Sequence, residues 1–185
     1  MSESVSPEAE RDPNAQTLLG LFYDSPLDSC ATTLVPHDDV PAPFDRLLVH
    51  ENHMTVTVEA FHDSLVDVGV LDEQKSNDVY ARKIVLTRQS DDQVVQFGVV
   101  RIHRQLLPEK ARDAIEAKDT PLGRILIEQG LLRHVELLDI WRCEPGEELA
   151  QLLRMEPGET TYGRTAIIHV DSHPVIELLE IVSPA

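Results

Sequence analysis

After about Asp45 the chain is governed by one pattern: six runs rich in Val, Ile, Leu and Thr, each closed by turn residues, at 65–71, 79–88, 93–104, 134–143, 160–170 and 175–182. Side chains of this kind fit the pleated, half-buried surface of a sheet. Two of the breaks, 89–92 and 171–174, are short and polar, which marks hairpins and therefore antiparallel neighbours. Helical pieces fall between the runs. Residues 108–117 open on a proline suited to a first turn, 121–129 follow Thr120 as a cap, and 147–155 end before Pro157 and Gly158. Residues 54–61 read as a helix from Asn52 as a cap and the spacing of Met54, Val58 and Phe61, although their β-branched content suits a strand. The prediction is an α+β domain over residues 17–185, built on a single six-stranded antiparallel β-sheet with flanking helices. Antiparallel neighbours argue against a doubly wound fold, and no Gly-rich phosphate loop appears.

The first 16 residues hold five charges, two prolines and almost no large apolar side chain, and are expected to form a disordered acidic tail. Pro26, Pro36, Pro41 and Pro43 then break the segment from Asp24 to Phe44 into a wrapped loop. At 185 residues with 42% hydrophobic content, the chain is long enough for a core without a metal or disulfide staple. Cys30 and Cys143, 113 positions apart, suit a reducing compartment. The N-terminus has no basic start or apolar stretch, and no apolar run approaches a membrane span, so a cytoplasmic protein without a membrane partner is expected.

The formal charge of −17 sets the surface against a phosphate backbone and argues against nucleic acid as a partner. Residues 82–124 nevertheless hold 9 basic and 6 acidic groups, whereas residues 1–60 hold 2 and 11. Surface ion pairs account for such a stretch, and so does an anionic ligand. Alternation places Tyr80, Arg82, Ile84 and Leu86 on one side of their strand, so Arg82 points where the core should be and needs an anion. Glu180 stands likewise among Ile176, Leu178 and Val182. The simplest outcome is that these two pair with each other, or that a strand end lets one of them reach water. The segment Thr120-Pro-Leu-Gly-Arg124 opens a helix whose free N–H groups, at Leu122 and Gly123, suit a carboxylate or phosphate. His50-Glu-Asn-His53 lacks zincin spacing and a third ligand, so no metal is expected, and no nucleophile elbow is present.

Taken together, these segments resemble the chorismate pyruvate-lyase (4-hydroxybenzoate synthase) family from about Leu47 to Pro184. The resemblance rests on His53-Met54-Thr55, Tyr80-Ala-Arg82-Lys-Ile-Val-Leu86, Gly98-Val-Val-Arg101, Thr120 to Arg124, and Pro174 to Glu180 followed by Pro184. It implies a six-stranded chorismate lyase-like fold and removal of pyruvate from chorismate to give 4-hydroxybenzoate, without a cofactor. It further implies that Arg82 and the backbone N–H groups of Met54 and Leu122 hold the aromatic carboxylate while Glu180 faces the ring hydroxyl. Arg101, Gly123 and Arg124 are possible supports. Glu180 stands six residues after Pro174, where some members have five, so the strand needs a bulge or Glu177 is the rival carboxylate. The same fold serves as the effector-binding module of bacterial transcription regulators, and residues 153–184 resemble that module about as well. A non-catalytic binding protein for an aromatic carboxylate is the alternative reading.

Overall fold

A computed structural model of the chain describes residues 13–131 and 134–184. Seven strands form one antiparallel sheet in the order β1-β5-β6-β7-β4-β3-β2. These are β1 (Cys30–Val35), β2 (Val66–Lys75), β3 (Val79–Arg88), β4 (Val94–His103), β5 (His134–Pro145), β6 (Thr161–Val170) and β7 (His173–Val182). Six occupy the expected runs. The seventh, β1, lies in the segment expected to be loop: Pro26 and Pro36 flank it without entering it, and Cys30 to Val35 pair with β5 from Pro145 back to Ile140. A proline-free stretch of six residues is long enough for an edge strand, and the edge asks for only one partner.

Helices cover both faces. Against one face lie α3 (Phe44–Leu48), α4 (Met54–His62), α5 (Glu109–Glu116) and α6 (Leu122–Glu128), which bury Phe44, Leu47, Met54, Val58, Ile115 and Ile125 against Tyr80, Ile84, Val100, Ala166 and Leu178. Against the other lie α1 (Ala15–Leu19) and α7 (Glu147–Leu152), with Leu18, Leu19 and Leu149 packed on Phe97, Val99, Leu179 and Ile181. A short α2 (Pro26–Ser29) leads into β1. The expected tail lies outside the described residues up to position 12, and α1 begins at Ala15, which is buried, two residues ahead of the expected domain boundary. The ambiguous 54–61 segment is helical. Its cap is His53 instead of Asn52. In the same way Pro108 and Pro121 sit at the N-cap of α5 and α6, one place earlier than the first-turn position expected of them. The helix α7 stops three residues short of the expected Met155, because Arg154 turns to a positive φ of 53° and the Met155 N–H closes back on the Ala150 carbonyl at 2.8 Å.

The strand β1 also brings the two cysteines to neighbouring strands, where both are buried as free thiols in the second layer. Contact with Cys30, together with burial, pushes the Cys143 thiol well above its usual range. Among the described residues no helix is long and apolar enough to cross a membrane.

The register of β7 decides where its carboxylates point. Ile168 pairs with Ile176 but His169 pairs with Pro174, so Val175 is an extra residue in β7. This is the bulge that the six-residue spacing from Pro174 to Glu180 requires. Beyond it, Val170 pairs with His173 across a two-residue turn in which Asp171 and Ser172 have φ of 49° and 67°. Both signs match a type I′ hairpin, for which glycine is the favoured second residue. Ser172→Gly is therefore expected to stabilise the fold by about 1 kcal/mol and to raise the melting temperature by roughly 2–4 °C, measured by calorimetry.

Candidate functional site

Alternation along the central strands builds the floor of a cavity on the four-helix face. Across the sheet, Arg82 of β3 sits beside Val100, then Leu178, then Ala166. The next row is Ile84, Gly98, Glu180 and Arg164, and the row after it begins Leu86, Gln96, Val182. The roof is made by the starts of α4 and α6, where His53, Met54, Thr55, Leu122 and Gly123 face the floor. The cavity is narrow: the space open to the centre of a water molecule is about 30 Å³, room for a water or two.

Two glycines let this space exist in its present form. A Cβ on Gly123 would stand 2.9 Å from Thr55 Oγ1 and 3.4 Å from the His53 Cβ, so only glycine lets α6 approach the start of α4 this closely. A Cβ on Gly98 would meet the Ile84 side chain at 3.2 Å in the middle of the floor. Neither helix start has a side-chain cap, which leaves the first-turn N–H groups of α4 and α6 turned to the same opening.

Three charged side chains line the cavity. Arg82 is completely buried, and its Nη1 donates to the Ile115 carbonyl at 3.1 Å. Its Nε and Nη2 have no hydrogen-bond partner among the described residues. Burial lowers its pKa, opposed by the nearby Tyr80 hydroxyl and, more weakly, by the Glu73 carboxylate. A guanidinium remains charged under such shifts. Glu180 does not pair with Arg82. It belongs to Arg164, also completely buried, whose Nε donates to Glu180 Oε2 at 2.8 Å. The remaining nitrogens of Arg164 reach the His50 carbonyl at 2.8 Å and the Asn52 carbonyl at 2.9 Å.

The geometry therefore gathers Arg82, Glu180, Met54, Leu122 and Gly123 around one cavity and separates the others from it. Arg101 and Glu177 form a two-pronged ion pair with each other on the opposite face of the sheet, Nη2 to Oε1 at 2.9 Å, with His103 3.5 Å from the same carboxylate. Three residues from Glu180, Glu177 has the opposite side-chain parity, so neither it nor Arg101 can serve this cavity. His103 and Arg101 outweigh desolvation and hold the Glu177 pKa below its usual value. Arg124 is bound to Glu59 of α4, which also accepts from the Val66 N–H at 3.1 Å, so Arg124 fastens the two roof helices and does not enter the cavity.

Arg164 and Gln96 are cavity residues that the sequence reading did not single out, and His53, quoted there only within two motifs, joins them. Arg164 carried the same signal as Arg82, a cation in the apolar row of Tyr162, Ala166 and Ile168. Both ring nitrogens of His50 are engaged: Nδ1 faces Arg164 at 3.2 Å and accepts from the Asn52 N–H at 3.1 Å, which leaves Nε2 to donate to the Leu47 carbonyl at 2.8 Å. Among the described residues no group of three or more His, Cys, Asp or Glu is placed to hold a metal. His53 is 6% exposed, its Nε2 is unpartnered, and burial together with the Arg164 charge lowers its pKa to about 4.

No family model matches the chain, and no curated protein matches it. Solved structures do. The chain is similar to PhnF from Mycobacterium smegmatis at a TM-score of 0.57 and 12% identity, over 75% of this chain and 67% of that one. The effector domain of PhnF gives 0.56 and 13%, over 72% and 89%. A possible transcriptional regulator, YydK from Bacillus subtilis, gives 0.51 and 15%, over 66% of this chain and 60% of its own length. At these identities the likeness establishes the fold, an antiparallel sheet with helices of the kind that chorismate lyases and effector modules share. It does not select the lyase family, and the sheet has seven strands instead of six.

Two outcomes follow from the ion pairs and the buried imidazole. Glu180→Gln leaves the Arg164 charge buried without its partner and is expected to cost about 3–5 kcal/mol of stability by chemical denaturation. Glu177→Gln is expected to cost less, since Arg101 can reach water. Because the folded pKa of His53, about 4, lies below its unfolded value of about 6.5, its contribution to stability is present above pH 6.5 and lost as the pH falls towards 4. A denaturation series over that window should show a shallower pH slope for His53→Gln than for the wild type.

Proposed function

We propose that this chain is a binding domain for a small aromatic carboxylate, which it holds without converting. The observation that carries this reading is the free edge of Arg82. Nε and Nη2 lie side by side on one edge of a guanidinium and present two parallel N–H groups, the fork that takes a carboxylate in two-pronged fashion. Arg101 uses the same edge for Glu177 on the other side of the sheet. On Arg82 that edge is buried, charged and unpaired in the wall of a cavity. A buried cation of this kind calls for an anion. Ile84, Val100 and Leu178 around it suit a flat apolar body, and the uncapped helix starts add N–H groups favourable to negative charge.

The binding reading draws further support from the fold's likeness to PhnF and its effector domain. Glu180 adds to it: with one oxygen committed to Arg164, the carboxylate acts as an anchor for that arginine. One observation favours the lyase as a second reading. The cavity brings together Arg82, Glu180, Met54 and Leu122, the set that the family resemblance implies for chorismate.

The two readings separate in one experiment. Calorimetric titration with 4-hydroxybenzoate is expected to show binding, lost by at least about tenfold in Arg82→Lys, whose ammonium cannot reproduce the fork. Chorismate incubated with the protein and EDTA is expected to release no pyruvate above the spontaneous rate. Catalytic release of pyruvate would establish the lyase instead, and undiminished binding by Arg82→Lys would reduce Arg82 to a structural cation.

A further inference from the structure

Gln96 is the remaining polar side chain on the cavity floor. It is 2% exposed, its Oε1 is buried, and no donor reaches that oxygen among the described residues. Its cross-strand neighbours are Leu86 on one side and Val182 on the other, neither of which can satisfy an amide. More than nine in ten buried polar groups have a partner, so an amide left alone in the wall of an open cavity points to a group that arrives with a ligand. Alternation along β4 places Gln96 on the cavity side in step with Gly98 and Val100.

Its position along the strand gives the amide a meaning. Arg82 pairs with Val100, and Gln96 is four residues away on the same strand, so the two polar points are about 14 Å apart along the floor at roughly 3.4 Å per residue. Between them lies the row of Ile84, Gly98, Glu180 and Arg164, the last two paired with each other. The arginine and glutamine side chains take up part of that span. A ligand that bridges the two points carries a carboxylate at one end and a polar group at the other. An amide carries no charge to balance a second anion, and a hydroxyl can both donate to its oxygen and accept from its nitrogen.

Resting on the carboxylate-binding reading above, we infer that Gln96 is the second recognition point of the cavity. It selects ligands with a hydroxyl remote from the carboxylate, and so selects for the length of an elongated hydroxy-aromatic acid.

The test is a pair of ligands that differ only in that hydroxyl, 4-hydroxycinnamate and cinnamate, titrated calorimetrically into the wild type, Gln96→Leu and Gln96→Met. The wild type is expected to prefer 4-hydroxycinnamate by about three- to tenfold, the value of one hydrogen bond. In both variants the preference should vanish while cinnamate binds within twofold of its wild-type affinity. Leu and Met remove the unpartnered amide at similar volume, and two variants guard against one that fails to fold. A preference that survives in the variants, or is absent from the wild type, overturns the inference. Wild-type protein that takes 4-hydroxybenzoate but neither cinnamate overturns the assignment of length and leaves the carboxylate reading standing. If it takes no aromatic carboxylate at all, both fall.

Discussion

Everything around the cavity depends on Arg164. Its guanidinium is removed from water, which is tolerable only because its nitrogens are spent on fixed partners: a carboxylate across the strand pair and two main-chain carbonyls. The carbonyls belong to His50 and Asn52, in the loop that runs into α4. One side chain therefore locks the sheet to the entrance of the roof helix, and α6 follows because Gly123 seats it against Thr55. The resulting division of labour between the two buried arginines is clear in their bonding. Arg164 is saturated and structural, whereas Arg82, equally buried, keeps one edge open. The same residue type in the same layer thus stands once fully engaged and once with an edge unpartnered.

Much of this was legible in the chain itself, for definite reasons. The strands announced themselves because central strands need long apolar runs, and Arg82 and Glu180 stood out because a charge in an apolar row breaks a period of two. Arg164 obeyed the same rule, but its partner could not be assigned without the register that sets it opposite Glu180. Pairing of Arg82 with Glu180 was the economical guess for two lone opposite charges, and the sheet order defeats it, since β4 stands between β3 and β7.

Other features were hidden by scale. An edge strand needs only one partner and so carries a weak sequence signal, and β1 lies between prolines that argue for a loop. Helix caps shifted by one residue because proline is accepted at the N-cap and at the first helical position alike, and the pattern cannot tell them apart. Gln96 follows the plain alternation of β4 with Gly98 and Val100, but a glutamine in a strand is ordinarily a solvent residue and carries no signal of its own.

The bulge at Val175 has a different kind of consequence. Glu180 takes its place from pairing with Arg164 and Gly98, both on the C-terminal side of the bulge, while the hairpin turn lies on the other side. The extra residue acts as a slack loop in the strand. Changes in the length or conformation of the turn at residues 171–173 can be absorbed there before they reach the carboxylate. The outer hairpin is thus free to vary as a surface without moving the carboxylate beneath it, a mechanical insulation between the part of the sheet that meets the surroundings and the part that floors the cavity.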